Sequence, residues 1–141
     1  MKAFLDSSVL IATFYAHHEH HAASIDLLLR FPKNEICCCA HSLAEVYTVL
    51  TGRTGKERVS GDEAWLFLSD VRDRLTIVAL TGAEYAKAIQ EAIVLGIAGG
   101  GIYDALLGHC ALKAEADDIY TWNVKHFERL GPEISKRVKT P

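Results

Sequence analysis

The apolar positions of this chain come in two rhythms. Residues 2–5, KNEICCCAH, TIVAL and DIYTW are short apolar runs bounded by polar or turn residues, which predicts strands, and RVKT near the end reads as a last edge strand. Between them, apolar residues spaced three and four apart predict helices. These cover SSVLIATFYA, EHHAASIDLLLRF as far as Pro32, the stretch from Ser42 to the Gly52–Gly55 turn, SGDEAWLFLSDVRDR, GAEYAKAIQEAIVLG, IYDALLGHCALKAEA and VKHFERL. Ser7 or Ser8 is expected to cap the first helix, and Ser60 with Glu63 and Thr81 with Glu84 have the spacing of a capping box. The helix after the triple glycine is apolar on most sides and is expected to be buried. Strands alternating with helices predict an α/β fold, a mainly parallel sheet covered by helices on both faces.

Composition narrows this picture. At 141 residues and 50% apolar, the chain has the size of one domain, residues 1–141, and enough apolar surface for a core. Fifteen Lys and Arg against 18 Asp and Glu give a net charge of -3, so nucleic-acid binding has to come from a local patch. Asp6, Ser7 and Ser8 interrupt the first apolar run, so no export signal is expected. The most apolar later segment, AIVLGIAGGGIYDALLG, carries Asp104 and falls short of the roughly 20 apolar residues of a spanning helix, so a cytoplasmic protein is expected. Cys37, Cys38 and Cys39 are consecutive and no CxxC spacing occurs. In a strand they would alternate between two apolar faces, which makes them structural thiols.

Against this apolar background three carboxylates stand out: Asp6 in KAFLDSSVLI, Glu45 in AHSLAEVYTVL and Asp104 in GGGIYDALLGHC. Each has a local explanation. Asp6 suits a helix cap, Glu45 could complete a capping box with Ser42, and Asp104 suits the positive end of its helix. Taken together they fall at the carboxyl ends of strands or in the turns that follow, where parallel α/β sheets bind ligands. The end of the fourth strand adds Thr121 and Asn123 to the same rim. Oxygen donors of this kind suit Mg²⁺ or Mn²⁺, with Asp6 and Asp104 as metal ligands, and a cation would offset the repulsion among the acids. Such a site can polarise a phosphoryl oxygen and generate hydroxide. The residues therefore point to phosphodiester hydrolysis.

The motifs DSSVLIA, HSLAEVYTVLTGR, GGGIYDALL and DIYTWNVKHF, in this order over nearly the whole chain, resemble the PIN-domain nucleases, specifically toxin ribonucleases of the VapC type. The resemblance implies a five-stranded parallel sheet sandwiched between helices. It also implies metal-dependent endoribonuclease cleavage leaving a 5′-phosphate, a homodimer, and a small cognate antitoxin protein that blocks the metal pocket. Asp6, Glu45 and Asp104 fall on the family's acidic positions, with Ser8 and Thr121 on its supporting hydroxyl positions. Many relatives carry aspartate where this chain has Asn123, which implies one firmly held ion and a second that arrives with substrate.

Arg53, Lys56 and Arg58 after the Glu45 helix, and Lys125 and His126 after Asn123, are the candidate phosphate contacts. The His17–His21 cluster HHEHH lacks the further ligands a zinc site needs and reads as an exposed helix start or a partner-binding edge. Trp65 and Phe67, with the apolar residues of IATFYA, read as core. Two other functions remain open at this point: a PIN-like RNA- or protein-binding module without catalysis, and a DNA nuclease.

Overall fold

Alternation within the strands decides how the fold is built. The computed structural model describes residues 1–141. Its elements are β1 (Ala3–Leu5), α1 (Ser7–Phe14), α2 (His21–Arg30), β2 (Ile36–Cys39), α3 (Ala40–Gly52), α4 (Gly61–Arg74), β3 (Thr76–Val78), α5 (Gly82–Val94), α6 (Gly101–Lys113), β4 (Asp118–Tyr120), α7 (Val124–Glu128), α8 (Pro132–Ser135) and β5 (Val138–Lys139). The strand expected over KNEICCCAH is confined to Ile36–Cys39, its first residues Lys33–Glu35 forming a 3₁₀ turn and Ala40 opening α3. A second 3₁₀ turn at Gly55–Glu57 and α8 lie outside the elements expected from the sequence.

The five strands form one parallel sheet in the order β3-β2-β1-β4-β5. Ala3, Leu5, Ile36 and Cys38 point to one face, where α1 to α4 contribute Leu10, Leu27, Val46 and Leu68. Phe4, Cys37, Cys39 and Ile119 point to the other, against Leu107, Ala111, Phe127 and Ile134 of α6, α7 and α8. Cys37 to Cys39 thus alternate as the sequence predicts, and all four cysteines are free and buried. Cys110 Sγ donates to Cys39 Sγ at 2.9 Å across the second core. Burial pushes the Cys37 thiol up to about 12 and that of Cys38 further, so both stay protonated. No helix is long and apolar enough to cross a membrane.

Four local expectations are corrected. Asp6, not Ser7 or Ser8, caps α1, its side chain accepting from the Ser8 backbone N–H. Helix α3 starts two residues before Ser42, because Cys39 takes the cap position and its sulfur accepts from His41 N. Ser42 Oγ is left buried without a partner, so no box with Glu45 forms. Trp65 is 55% exposed rather than core, although Phe67 packs on the first core. Thr81 and Glu84 make the full reciprocal box, whereas Ser60 accepts from Glu63 N alone.

Chain order and spatial order together set the place of the site. The connections run outward from β1 through β2 to β3 and then return to β4 on the other side of β1, so a crevice opens at the carboxyl ends of β1 and β4.

Cys38→Ser places a hydroxyl where no partner is available, in a residue with no exposed surface. We expect a loss of about 1–3 kcal/mol, seen as a melting point lower by roughly 3–10 °C in circular dichroism, with a smaller loss for Cys38→Ala.

Candidate active site

Asp6 follows the last residue of β1 and is only 3% exposed. Its Oδ2 accepts from Ser8 Oγ at 2.6 Å, Thr121 Oγ1 at 2.8 Å and Ser8 N at 3.4 Å. The two hydroxyls are themselves fixed, since Ser8 Oγ accepts from Trp122 N at 3.0 Å and Thr121 Oγ1 from Asn123 N at 2.9 Å. The exit of β4 is therefore tied to the exit of β1 through a single carboxylate oxygen. Oδ1 makes no protein hydrogen bond and is not among the fully buried unpartnered atoms, so it keeps a small contact with solvent.

Glu45 stands on α3, half-buried, and accepts from Ser7 Oγ at 2.9 Å. Burial raises its carboxyl above the usual range, and the charges of Asp6 and Asp104 add to that, against lowering by the Ser7 bond and by His41. Asp104, in the first turn of α6, is raised likewise, by burial first and then by Asp6, while His126 and Arg129 lower it. His126 Nδ1 lies 3.5 Å and Arg129 Nη2 4.0 Å from Asp104 Oδ2. The triple glycine makes room for this. Gly99 turns with φ +60°, and a Cβ at Gly101 would stand 2.6 Å from Arg129 Nη2.

The three carboxylates thus sense one another electrostatically, but no three His, Cys, Asp or Glu side chains close into a ligand cage. That suits Mg²⁺ or Mn²⁺ better than zinc, because such an ion takes one or two carboxylates and keeps several waters. Oδ1 of Asp6 and the Asp104 carboxylate are the oxygens that fit it.

Of the residues picked from sequence, Asp6, Ser8, Thr121, Glu45 and Asp104 gather at this crevice. Asn123 does so only through its backbone N–H; its side chain is exposed and meets none of the acids. Arg53 is half-buried rather than free, with Nη1 paired to Glu57 at 3.0 Å and the guanidinium over the Tyr15 ring. Lys56, Arg58 and Lys125 are exposed and unpaired. His17 pairs with Glu57, and the histidine cluster forms no metal site. Sequence reasoning missed Ser7 and Arg129. The spacing of His126 and Arg129, one helical turn apart, could have signalled that both meet Asp104.

Comparison with known proteins identifies the family and agrees with the fold. The profile of the PIN domain matches residues 3–131. The ribonuclease VapC40 of Mycobacterium tuberculosis is 31% identical over 132 residues, 92% of this chain and 94% of that protein. Among solved structures, M. tuberculosis VapC20, described as a sarcin-ricin loop cleaving toxin, superposes with a TM-score of 0.72 at 17% identity, over 89% of this chain and 92% of that one. VapBC2 from Rickettsia felis, bound to a DNA fragment from its promoter, gives 0.67 at 20% identity over 99% and 98%.

The raised carboxyls have a consequence for stability. A folded-state pKa above the unfolded one means that the native state binds more protons, so stability falls as pH rises between the two values, and the loss persists at neutral pH. In chelator at pH 7.5, Glu45→Gln and Asp104→Asn should therefore melt at or above the wild type. The difference should close as pH drops to about 4, the ordinary carboxylate range. Calorimetric melts across that range check it, and variants that melt well below wild type at pH 7.5 would contradict it.

Proposed function

The chain belongs to the PIN domain family, and we propose that it acts as a single-domain, divalent-metal-dependent endoribonuclease, the toxin of a toxin–antitoxin pair. One observation carries the proposal: Asp6 is buried yet clamped by two neutral hydroxyls, with Glu45 and Asp104 close enough for Asp6 to raise the proton affinity of both. The 31% identity to a ribonuclease over 92% of the chain supports the reaction class.

Asp6 and Asp104 would hold the ion, Mg²⁺ or Mn²⁺, which supplies Lewis acidity toward a phosphoryl oxygen and lowers the pKa of bound water. Ser8 and Thr121 fix the rotamer of Asp6, so its free Oδ1 meets the substrate in one orientation. Glu45, held by Ser7 and raised by burial, is suited to receive the proton of the attacking water, because its proton affinity is shifted toward neutral pH. Arg129 and His126, beside Asp104, are suited to the charge on the phosphate and the departing oxygen. Arg53 and Lys125 remain outer backbone contacts.

VapBC complexes among the structural neighbours support a small cognate antitoxin as partner. Exposed apolar side chains on α4 (Trp65, Leu66) and at the end of α5 (Ile93, Val94) leave surface for protein contacts, the antitoxin and a second copy in a homodimer. A cytoplasmic location follows from an intracellular RNA substrate.

Two measurements test this reading. On labelled single-stranded RNA with Mn²⁺, wild type should cleave and chelator should abolish cleavage. Asp104→Asn should lose on the order of a hundredfold or more, and single-stranded DNA should stay intact. Cleavage that survives chelator, or an Asp104→Asn protein as active as wild type, would sink the reading. RNA binding without any cleavage would favour a binding module, and cleavage of DNA a DNA nuclease. Separately, because the Asn123 side chain meets none of the acids, Asn123→Asp should leave Mn²⁺ affinity in titration calorimetry within about twofold of wild type. Clearly tighter binding would return position 123 to the metal site.

A further inference from the structure

The histidine run that forms no metal site does form something else. His20, which precedes α2, lies face to face with Trp122 just beyond β4, their ring centroids 3.6 Å apart and planes within 7°. Trp122 is held from two sides: its backbone N–H donates to Ser8 Oγ at 3.0 Å and its Nε1 to the fully buried Ser24 Oγ at 2.9 Å. The stack is thus anchored to the same hydroxyl that clamps Asp6. It walls a pocket of about 390 Å³ whose other sides include Ser8, Arg53 and Asn123. Arg53 keeps Nη1 on Glu57 and its guanidinium over the Tyr15 ring, but its Nη2 has no protein partner and the Asn123 side chain has none either, so the pocket offers one guanidinium N–H edge and an amide beside an aromatic surface.

A second aromatic pair stands on the other flank. His41, in the first turn of α3, stacks with Tyr103 in the first turn of α6, centroids 5.1 Å apart and planes within 11°, and Tyr103 is 49% exposed. The strand order separates the two pairs. Trp122 leaves from β4 and His41 from β2, with β1 and its Asp6 between them. At the usual spacing of neighbouring strands, the flanking strand ends are roughly 10 Å apart.

Resting on the ribonuclease reading above, we propose that the two pairs are base-stacking platforms. A single RNA strand crosses the carboxylates with the scissile phosphate over Asp6, the base on one side stacked on His20–Trp122 and the base on the other on His41–Tyr103. Three features favour this ligand. Flat, partly exposed rings that lie parallel to a neighbour offer surface that any nucleobase can extend, as proteins that bind unpaired strands do. Arg53 Nη2 and the Asn123 amide, both lining the same pocket, are hydrogen-bonding groups suited to the edge of a base. A net charge of -3 leaves little general attraction to phosphates beyond the local cations at the rim, so stacking adds affinity that the overall charge does not supply. The substrate is accordingly single-stranded, because paired bases present no free face.

Trp122 reports on its own platform. In a Trp65→Phe protein it is the only tryptophan, and in chelator the RNA stays uncut. Its fluorescence should be quenched saturably by a short single-stranded oligoribonucleotide, and much less by an abasic strand of equal length or by a duplex of the same sequence. With Mn²⁺, His20→Ala and Tyr103→Ala should each raise KM for single-stranded RNA about tenfold and leave kcat within about twofold, while His20→Phe and Tyr103→Phe restore KM. Equal quenching by the abasic strand, an unchanged KM in both alanine variants, or phenylalanine variants as poor as the alanine ones would overturn the proposal. The two readings fail separately. Cleavage with no base-dependent quenching removes the platforms and keeps the nuclease, whereas base-dependent quenching with no cleavage of any RNA removes the nuclease and keeps the platforms as a binding site.

Discussion

The structure depends on one carboxylate at the end of β1 being fully hydrogen-bonded on one oxygen while almost none of it touches water. A buried polar group without partners would cost several kcal/mol. Ser8 and Thr121 supply the partners, and the chemistry of the donors matters. Two hydroxyls stabilise the anion without cancelling its charge, as an arginine would, so the field of Asp6 still reaches into the crevice. Because one hydroxyl comes from α1 and the other from the exit of β4, the same bonds also fasten two strands at the point where the sheet order reverses. Position in the fold and electrostatic character are set by one group of atoms.

The other two acids are treated differently. Glu45 has one hydroxyl donor, and Asp104 only solvent-facing cations at 3.5 and 4.0 Å. Neither arrangement outweighs burial and mutual repulsion, so both carboxyls are raised. A parallel sheet with three acids at its rim is under electrostatic strain that a bound cation would relieve. This gives a physical reason for oxygen ligation at a site where the side chains do not close into a cage. It also suggests a role for Glu45, since a carboxyl held by one serine hydroxyl and raised by burial suits a base.

Much of this was legible in the sequence. The strand runs, the helix spacing and the alternation of Cys37 to Cys39 all follow from short-range periodicity, and the three acids stand out because carboxylates are rare in apolar frames. What was not legible depends on direction or on distance along the chain. Asn123 sits at the predicted place in sequence, but its backbone, at φ -105° and ψ 54° where α7 begins, brings an amide N–H to Thr121 and leaves the side chain outside. Cys39 displaced Ser42 as a cap because a sulfur at the strand end reached His41 N first, an outcome that propensities for oxygen caps do not anticipate. The His20–Trp122 stack joins residues about a hundred positions apart, and no spacing rule connects them.

An acidic protein that acts on RNA has an apparent contradiction to resolve, and the layout of the crevice resolves it. Counter-ion release, the usual source of affinity, scales with the number of phosphates neutralised, and here the rim itself is negative. On the proposed function, a metal ion at the acids would reverse that sign locally and only there, which would concentrate attraction on a single phosphate. Arg129 and His126 extend it by one side chain each. Beyond that point, further cations would hold RNA anywhere along the surface, and so would compete with the one register in which a phosphate lies over Asp6. Binding energy drawn from flat aromatic surfaces on either side has no such drawback, because it is gained only when unpaired bases straddle the site. Low overall charge and a narrow, metal-dependent focus are then two aspects of one design, in which the strand is positioned by its bases and attacked at its backbone.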